Sequence, residues 1–234
     1  FAKERVVQIQ EEREIDALYQ QGVTLQDAGR DDEALAAFMQ LMVRRPRHRD
    51  ISLRIQAILQ EQDQEALFAQ AEAAYDADRT LEALGLYEEI RSRYANFKGE
   101  VIDDRLYTLY MQLAQGLIEQ DPPAPEAIPQ ALAYFTEALA LQPRSAEAAL
   151  QQRLLGLYLD GQARYESGQW EGAIAQLRTV FDQQPEYLRG TVASMLYEAY
   201  IHSGDGLRDA AEPDCALAYQ RYSQAAELPV SDIT

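Results

Sequence analysis

The chain has 234 residues, 47% of them hydrophobic, with 39 acidic side chains against 21 basic ones and a net charge of −18. Such a length and composition supply a folded core in one or two domains, and no apolar run approaches the ~18 residues of a membrane span. So acidic a surface repels phosphate backbones and anionic lipid, so nucleic acid and membrane are not expected partners, whereas a basic protein segment is.

Phe1 stands where a native chain would begin with Met, so the native start is expected upstream. The bases are almost all Arg, with Lys only at Lys3 and Lys98, a balance expected of a GC-rich bacterial genome. One cysteine, Cys215, allows no internal disulfide and leaves the compartment open, cytoplasmic or extracytoplasmic.

In chain order, Ala2 to Ala28 reads as one long helix, with apolar residues three and four apart. Gly29 stands where it should stop. Asp31, followed by Asp32 and Glu33, reads as the cap of a second helix that ends before Pro46. Asp50 to Ala77 has no Gly or Pro and reads as another long helix. Thr80 is the expected cap of its partner. Val101 to Gln120 is again long, and residues 121–129, "DPPAPEAIP", read as a loop whose Pro129 suits a first helical position. Ser145 is expected to cap a helix that runs to Ser167 and stops at Gly168. Trp170 opens the next helix, which closes before Pro185, and it is expected to wedge between helices of its own pair. Glu186 to Ser203 is the last long helix, with Gly204 as its stop and residues 204–214 as a loop. No segment alternates in polarity as a strand would.

One ladder of small and large residues recurs through these helices. Gly161 is followed by Ala173, Leu177, Val180 and Pro185. The same order runs through Gly22, Ala34, Phe38, Leu41 and Pro46. It returns at Ala71, Ala83, Tyr87 and Ile90, where Ala95 replaces the proline, and at Ala114, Ala131, Phe135, Ala138 and Pro143. A last, divergent copy reads through Tyr197, Ala216, Gln220, Ser223 and Pro229. Small residues let two helix backbones approach to ~8–10 Å, and the large residue one turn on fills the groove beside them. Each stretch is therefore a helical hairpin, and its glycines and alanines are packing sites.

These residues resemble the tetratricopeptide repeat, whose signature is L-G-x2-Y…A-x3-F…P on a helical hairpin of 34 residues. "LDGQARYESGQWEGAIAQLRTVFDQQP" fits it best and "YQQGVTLQDAGRDDEALAAFMQLMVRRP" is close behind. The resemblance covers nearly the whole chain in about five units, roughly 1–48, 49–97, 98–144, 145–187 and 188–230, read as a single repeat domain. It implies an all-α fold, an α-α superhelix built as a right-handed solenoid of antiparallel helix pairs. Corresponding residues recur after 49, 43, 47 and 36 positions, so the first helices are expected to be longer than the family's.

The resemblance also implies a concave face lined by the first helices, receiving a peptide or helix of another protein. By register its positions include Tyr19, Val23 and Gln26, then Phe68, Glu72 and Tyr75, then Met111, Gln115 and Ile118. Tyr158, Gln162 and Tyr165 follow, and then Ser194, Glu198 and Ile201. Asp27, Asp76, Glu119 and Glu166 lie beside them. The expected partner-binding set is Tyr19, Phe68, Tyr75, Tyr158, Gln162, Tyr165, Glu166 and Glu198, an aromatic and acidic surface for a basic or amphipathic segment. Several of these aromatics could equally pack between helices. The Lys, Arg and Asn with which family members grip a terminal carboxylate are not at these positions, so that activity is not expected.

Catalytic constellations are sparse. His48 and His202 fall in different units, and nothing around His202 and Cys215 resembles a nucleophile turn. The acids near them, Asp205, Asp209, Glu212 and Asp214, match neither a zinc nor an EF-hand spacing. Phosphate-binding glycine motifs are absent, so no cofactor is expected. The sequence thus points to a non-catalytic interaction scaffold. Its alternative is a structural or self-assembling module, the soluble part of a larger and membrane-anchored protein, in which case a homo-oligomer is expected.

Overall fold

A computed structural model describes residues 1–120, Ala124 and 126–230. Among them are ten α-helices and no strand. They are α1 (Ala2–Asp27), α2 (Asp31–Arg44), α3 (Ile51–Asp76), α4 (Thr80–Arg93), α5 (Gly99–Ile118), α6 (Ala127–Leu141), α7 (Ala146–Glu166), α8 (Trp170–Gln183), α9 (Thr191–Arg208) and α10 (Cys215–Ala226). They fall into two compact units, Phe1–Phe97 and Lys98–Thr234. The first holds the hairpins α1–α2 and α3–α4, with α2 packed on α3. In the second, α5 to α10 each pack on the next helix in order. The division falls at the expected boundary between the second and third repeats.

The first helices are long, as the spacing predicts. They run 26, 26, 20, 21 and 18 residues, against 14, 14, 15, 14 and 12 for their partners. Three hairpin turns share one construction. Gly29, Asp78 and Gly168 adopt left-handed φ of 69°, 54° and 69°. The next residue's N–H then reaches back to a helix carbonyl: Arg30 to Leu25, Arg79 to Ala74 and Gln169 to Arg164, each at 2.9 Å. Aspartate thus stands in the glycine position of the second repeat, at the modest steric cost that short polar residues tolerate.

Helix starts differ in detail from expectation. Ser145 caps α7, its hydroxyl accepting from Ala148 N at 3.2 Å. Asp31 and Thr80 are already helical, and Arg30 and Arg79 hold the cap positions. Those arginines are tied to first-turn acids instead, Arg30 Nε to Glu33 at 2.7 Å and Arg79 Nη1 to Glu82 at 2.8 Å. The expected loop at 121–129 is helical from Ala127, and Pro129 is the third helical residue; Asp121–Pro123 and Pro125 lie outside the described residues. The second helices end where the prolines demand. Arg45, Gln142 and Gln184, each just before a proline, are extended.

The ladder is the core. Ala34, Phe38, Leu41, Ala71, Ala83, Tyr87, Ile90, Ala114, Ala131, Phe135, Ala138, Ala173, Leu177 and Val180 are all fully buried. Contact across the hairpins is close. A Cβ on Gly22 would stand 2.6 Å from Phe38 Cε1, and one on Gly161 would stand 2.8 Å from Leu177 Cγ.

The last repeat is set in a different register from the expected one. Gly204 is not a stop but a buried residue inside α9, and a Cβ there would meet Tyr222 Cε1 at 2.7 Å. The packing ladder is therefore Gly204, Ala218, Tyr222 and Ala225, with Tyr197 only half-buried. Helix α9 also starts late. Leu188, Arg189 and Gly190 take φ of 48°, 51° and 83°, which breaks the helix expected from Glu186 and tucks Tyr187 and Leu188 into the core. Burial of those two side chains offsets the ~1–2 kcal/mol that each non-glycine left-handed residue costs.

Candidate functional site

In the second unit, α7, the start of α8 and α9 bring together the richest set of expected residues. The Tyr165 hydroxyl donates to Glu198 across the two first helices. That bond, aided by burial, holds the phenol up at about 12. Trp170 packs edge-on against Tyr165, with ring centroids 5.5 Å apart. On its other side Trp170 stacks on the exposed His202 of α9, at 4.4 Å and 17°. It therefore wedges within its own hairpin, as expected, and also reaches the following helix. Gln162 donates to Glu166 at 3.1 Å, one turn apart on the same face. Both Gln162 and Glu198 are half-buried, and Glu166 is exposed.

A cavity of about 430 Å³ opens beside this group, lined by Trp170, Glu171, His202, Ser203, Gly206 and Leu207 among others. Two of its lining residues, Glu171 and Ser203, take part in polar contacts between helices. Ser203 Oγ donates to Glu171 at 2.5 Å, and Arg221 of α10 pairs with the same carboxylate at 2.7 Å. A second cavity, of about 500 Å³, is lined by Gln115 and Ile118 of α5, Glu119 just after it, Gln151 and the turn at Glu186–Arg189. Two groove positions and one neighbouring acid of the third repeat thus meet at an opening. Tyr187 Oη, buried there, donates to Gln151 at 3.2 Å.

Other expected residues face inward. Tyr158 is buried, which pushes its phenol up, and it belongs to the second unit's core. In the first unit Tyr19 is buried among Phe38, Leu41 and Ile55. Its hydroxyl donates to Asp50 at 2.6 Å, and the Arg49 guanidinium lies 4.5 Å from its ring centre. Phe68 and Tyr75 are half-buried, both edge-on to Tyr87, with centroids 6.2 and 6.5 Å away. The Tyr87 hydroxyl in turn donates to Glu72. The aromatic positions of the first unit therefore serve packing as much as any surface.

His48 is half-buried. It stands edge-on to Tyr19 at 5.7 Å, and its buried Nε2 lies 3.5 Å from Asp16 Oδ1. Cys215 is exposed at the start of α10. Among the described residues, no group of three or more His, Cys, Asp or Glu side chains converges as metal ligands would. Sequence reasoning weighed His202 only beside Cys215, missing its stack on Trp170, and did not single out Ser203. The signal was present in Gly204, whose packing role, read correctly, turns His202 toward Trp170.

Residues 16–48 match the model of a tetratricopeptide repeat. No curated protein sequence matches the chain. The matched segment comprises the end of α1, all of α2 and the turn after it, the hairpin in which Gly22 meets Phe38. The same small-to-large packing recurs at Ala71, Ala114, Gly161 and Gly204, and no described helix is long and apolar enough to cross a membrane. The match at residues 16–48 and the ten described helices, packed in consecutive pairs, fit a tetratricopeptide-like helical repeat protein.

Proposed function

We propose that the chain is a non-catalytic scaffold that holds a basic or amphipathic segment of another protein against the α7–α9 face of its second unit. Tetratricopeptide repeats are typically interaction modules, and the family match supports the coarse reading. The observation that carries the finer one is the half-exposed cluster Tyr165, Trp170, His202 and Glu198, with Glu166 alongside and a cavity of about 430 Å³ at its edge. Aromatic rings offer contact area and cation-facing π surfaces, and the carboxylates add charge that attracts Arg or Lys. The net charge of −18 acts in the same direction at longer range.

An array of basic, acidic and apolar peptides, probed at low and high salt, tests this. Basic amphipathic peptides should bind and the acidic ones should not. Tyr165→Ala and Glu166→Gln should each weaken the binding. Tyr158→Ala is a poor probe, because it removes a core side chain. Equal binding of acidic and basic peptides, or binding untouched by these changes, would sink the reading.

A further inference from the structure

The first half of α1 carries an apolar stripe that stays uncovered in the first unit. Ala2, Val6 and Ile9 follow each other at spacings of four and three and so share one helix face. Val6 and Ile9 are 55% and 52% exposed, and Val7 beside them is 60% exposed. The stripe does not continue the core seam of α1. Val6 lies nine residues before buried Ile15, which at ~100° per residue puts it on the opposite side of the helix. On the core side this half of α1 carries Glu4, Gln8 and Glu11 instead.

Helix α3 shows what such a stripe does in this fold. Ile51, Ile55 and Ile58 stand at the same distances ahead of Ala71 as Ala2, Val6 and Ile9 stand ahead of Gly22. Those isoleucines are buried in one cluster with Phe38 and Leu41 of α2. The equivalent face of α1 is therefore a helix seat.

We propose that this seat takes the same segment of a second copy of the chain, the two α1 helices running antiparallel about a two-fold axis. Charge selects that occupant and that direction. Arg5 and Glu12 flank the stripe on one side, at opposite ends of it. With Val6 of one copy against Ile9 of the other, Arg5 faces Glu12 across the seam, and symmetry makes the pair twice. On the other flank Lys3 meets Gln10, which is neutral. A parallel pair would set Arg5 beside Gln10 and make neither ion pair. The seam has only two Val–Ile layers, so the dimer is weak and concentration-dependent. The proposal is independent of the peptide-binding face, which lies in the other unit.

Sedimentation across a concentration series into the high micromolar range tests it, at low salt. The wild-type chain should shift from monomer to dimer. Arg5→Glu places two carboxylates together and should raise the dissociation constant by about tenfold or more. Adding Glu12→Arg to that variant swaps the charges and should restore the wild-type value to within about threefold. Val6→Asp should abolish the dimer. All three positions are exposed, so circular dichroism melting should be unchanged and loss of fold is excluded as a cause. A strict monomer at the highest concentration, or a dimer indifferent to Arg5→Glu, would overturn the proposal and leave the stripe to a helix from another source.

Discussion

Gly161 and Gly156 sit on one helix five residues apart and answer to different forces. A Cβ on Gly161 would press on Leu177, whereas one on Gly156 would meet nothing within 4 Å. Gly156→Ala should therefore raise stability by about 0.5–1 kcal/mol, the helix-propensity gain alone. Gly161→Ala gains the same propensity but overpacks the hairpin at a cost of roughly 1–3 kcal/mol, so the net change should be a loss. Denaturant midpoints of the two variants decide it, and a stabilised Gly161→Ala would contradict the packing role. Tyr165 makes a second residue-level case. Its folded phenol is held up at about 12 by its hydrogen bond to Glu198, above the ~10 of an unfolded tyrosine. The folded state thus keeps the proton longer. Its stabilising share is complete below pH ~10 and is lost as pH rises through about 12. Tyr165→Phe should remove one late-titrating phenol from the alkaline absorbance titration, and an unchanged titration would contradict that bond. Residue roles of the first kind were legible in sequence, because Gly22, Ala71 and Gly161 keep one spacing to their large partners, and Ala114 keeps it apart from an insertion. Roles such as the stacking of His202 on Trp170 were not. They depend on the rotation of α9, which one misread glycine set wrong.

The hairpin is the element that carries stability. Phe38 is fully buried, fills the space that Gly22 leaves and shares a cluster with Leu41, Ile51 and Ile58. Phe38→Ala should cost about 3–5 kcal/mol, measured by chemical denaturation. Phe38→Leu, which keeps most of the volume, should cost far less. Long first helices were readable because Asp50 to Ala77 offers no breaker. The α9 boundaries were not readable. Tyr187, Leu188 and Val192 keep a helical spacing on either side of a turn that only the left-handed backbone of Leu188, Arg189 and Gly190 reveals. Likewise Asp78 does a glycine's work at a turn where sequence showed no glycine. Local backbone strain tolerated for the sake of buried neighbours leaves no periodic trace.

Within each unit, stability should behave as a sum of neighbouring contacts, since each helix there packs mainly on the next. Phe38→Ala in the first unit and Leu177→Ala in the second share no partner and should add to within about 0.5 kcal/mol. A larger coupling would show that the units support one another. No composition shift marks the division after Phe97, so it leaves no trace in the sequence. Function at this scale rests on charge and shape together. The decisive measurement is the salt dependence of a basic amphipathic peptide's affinity, by titration calorimetry, for the wild-type chain and for Glu166→Gln combined with Tyr165→Phe. The scaffold account predicts binding that weakens as salt rises, with both affinity and salt slope reduced in the variant. Affinity that is indifferent to salt and to both substitutions would contradict it.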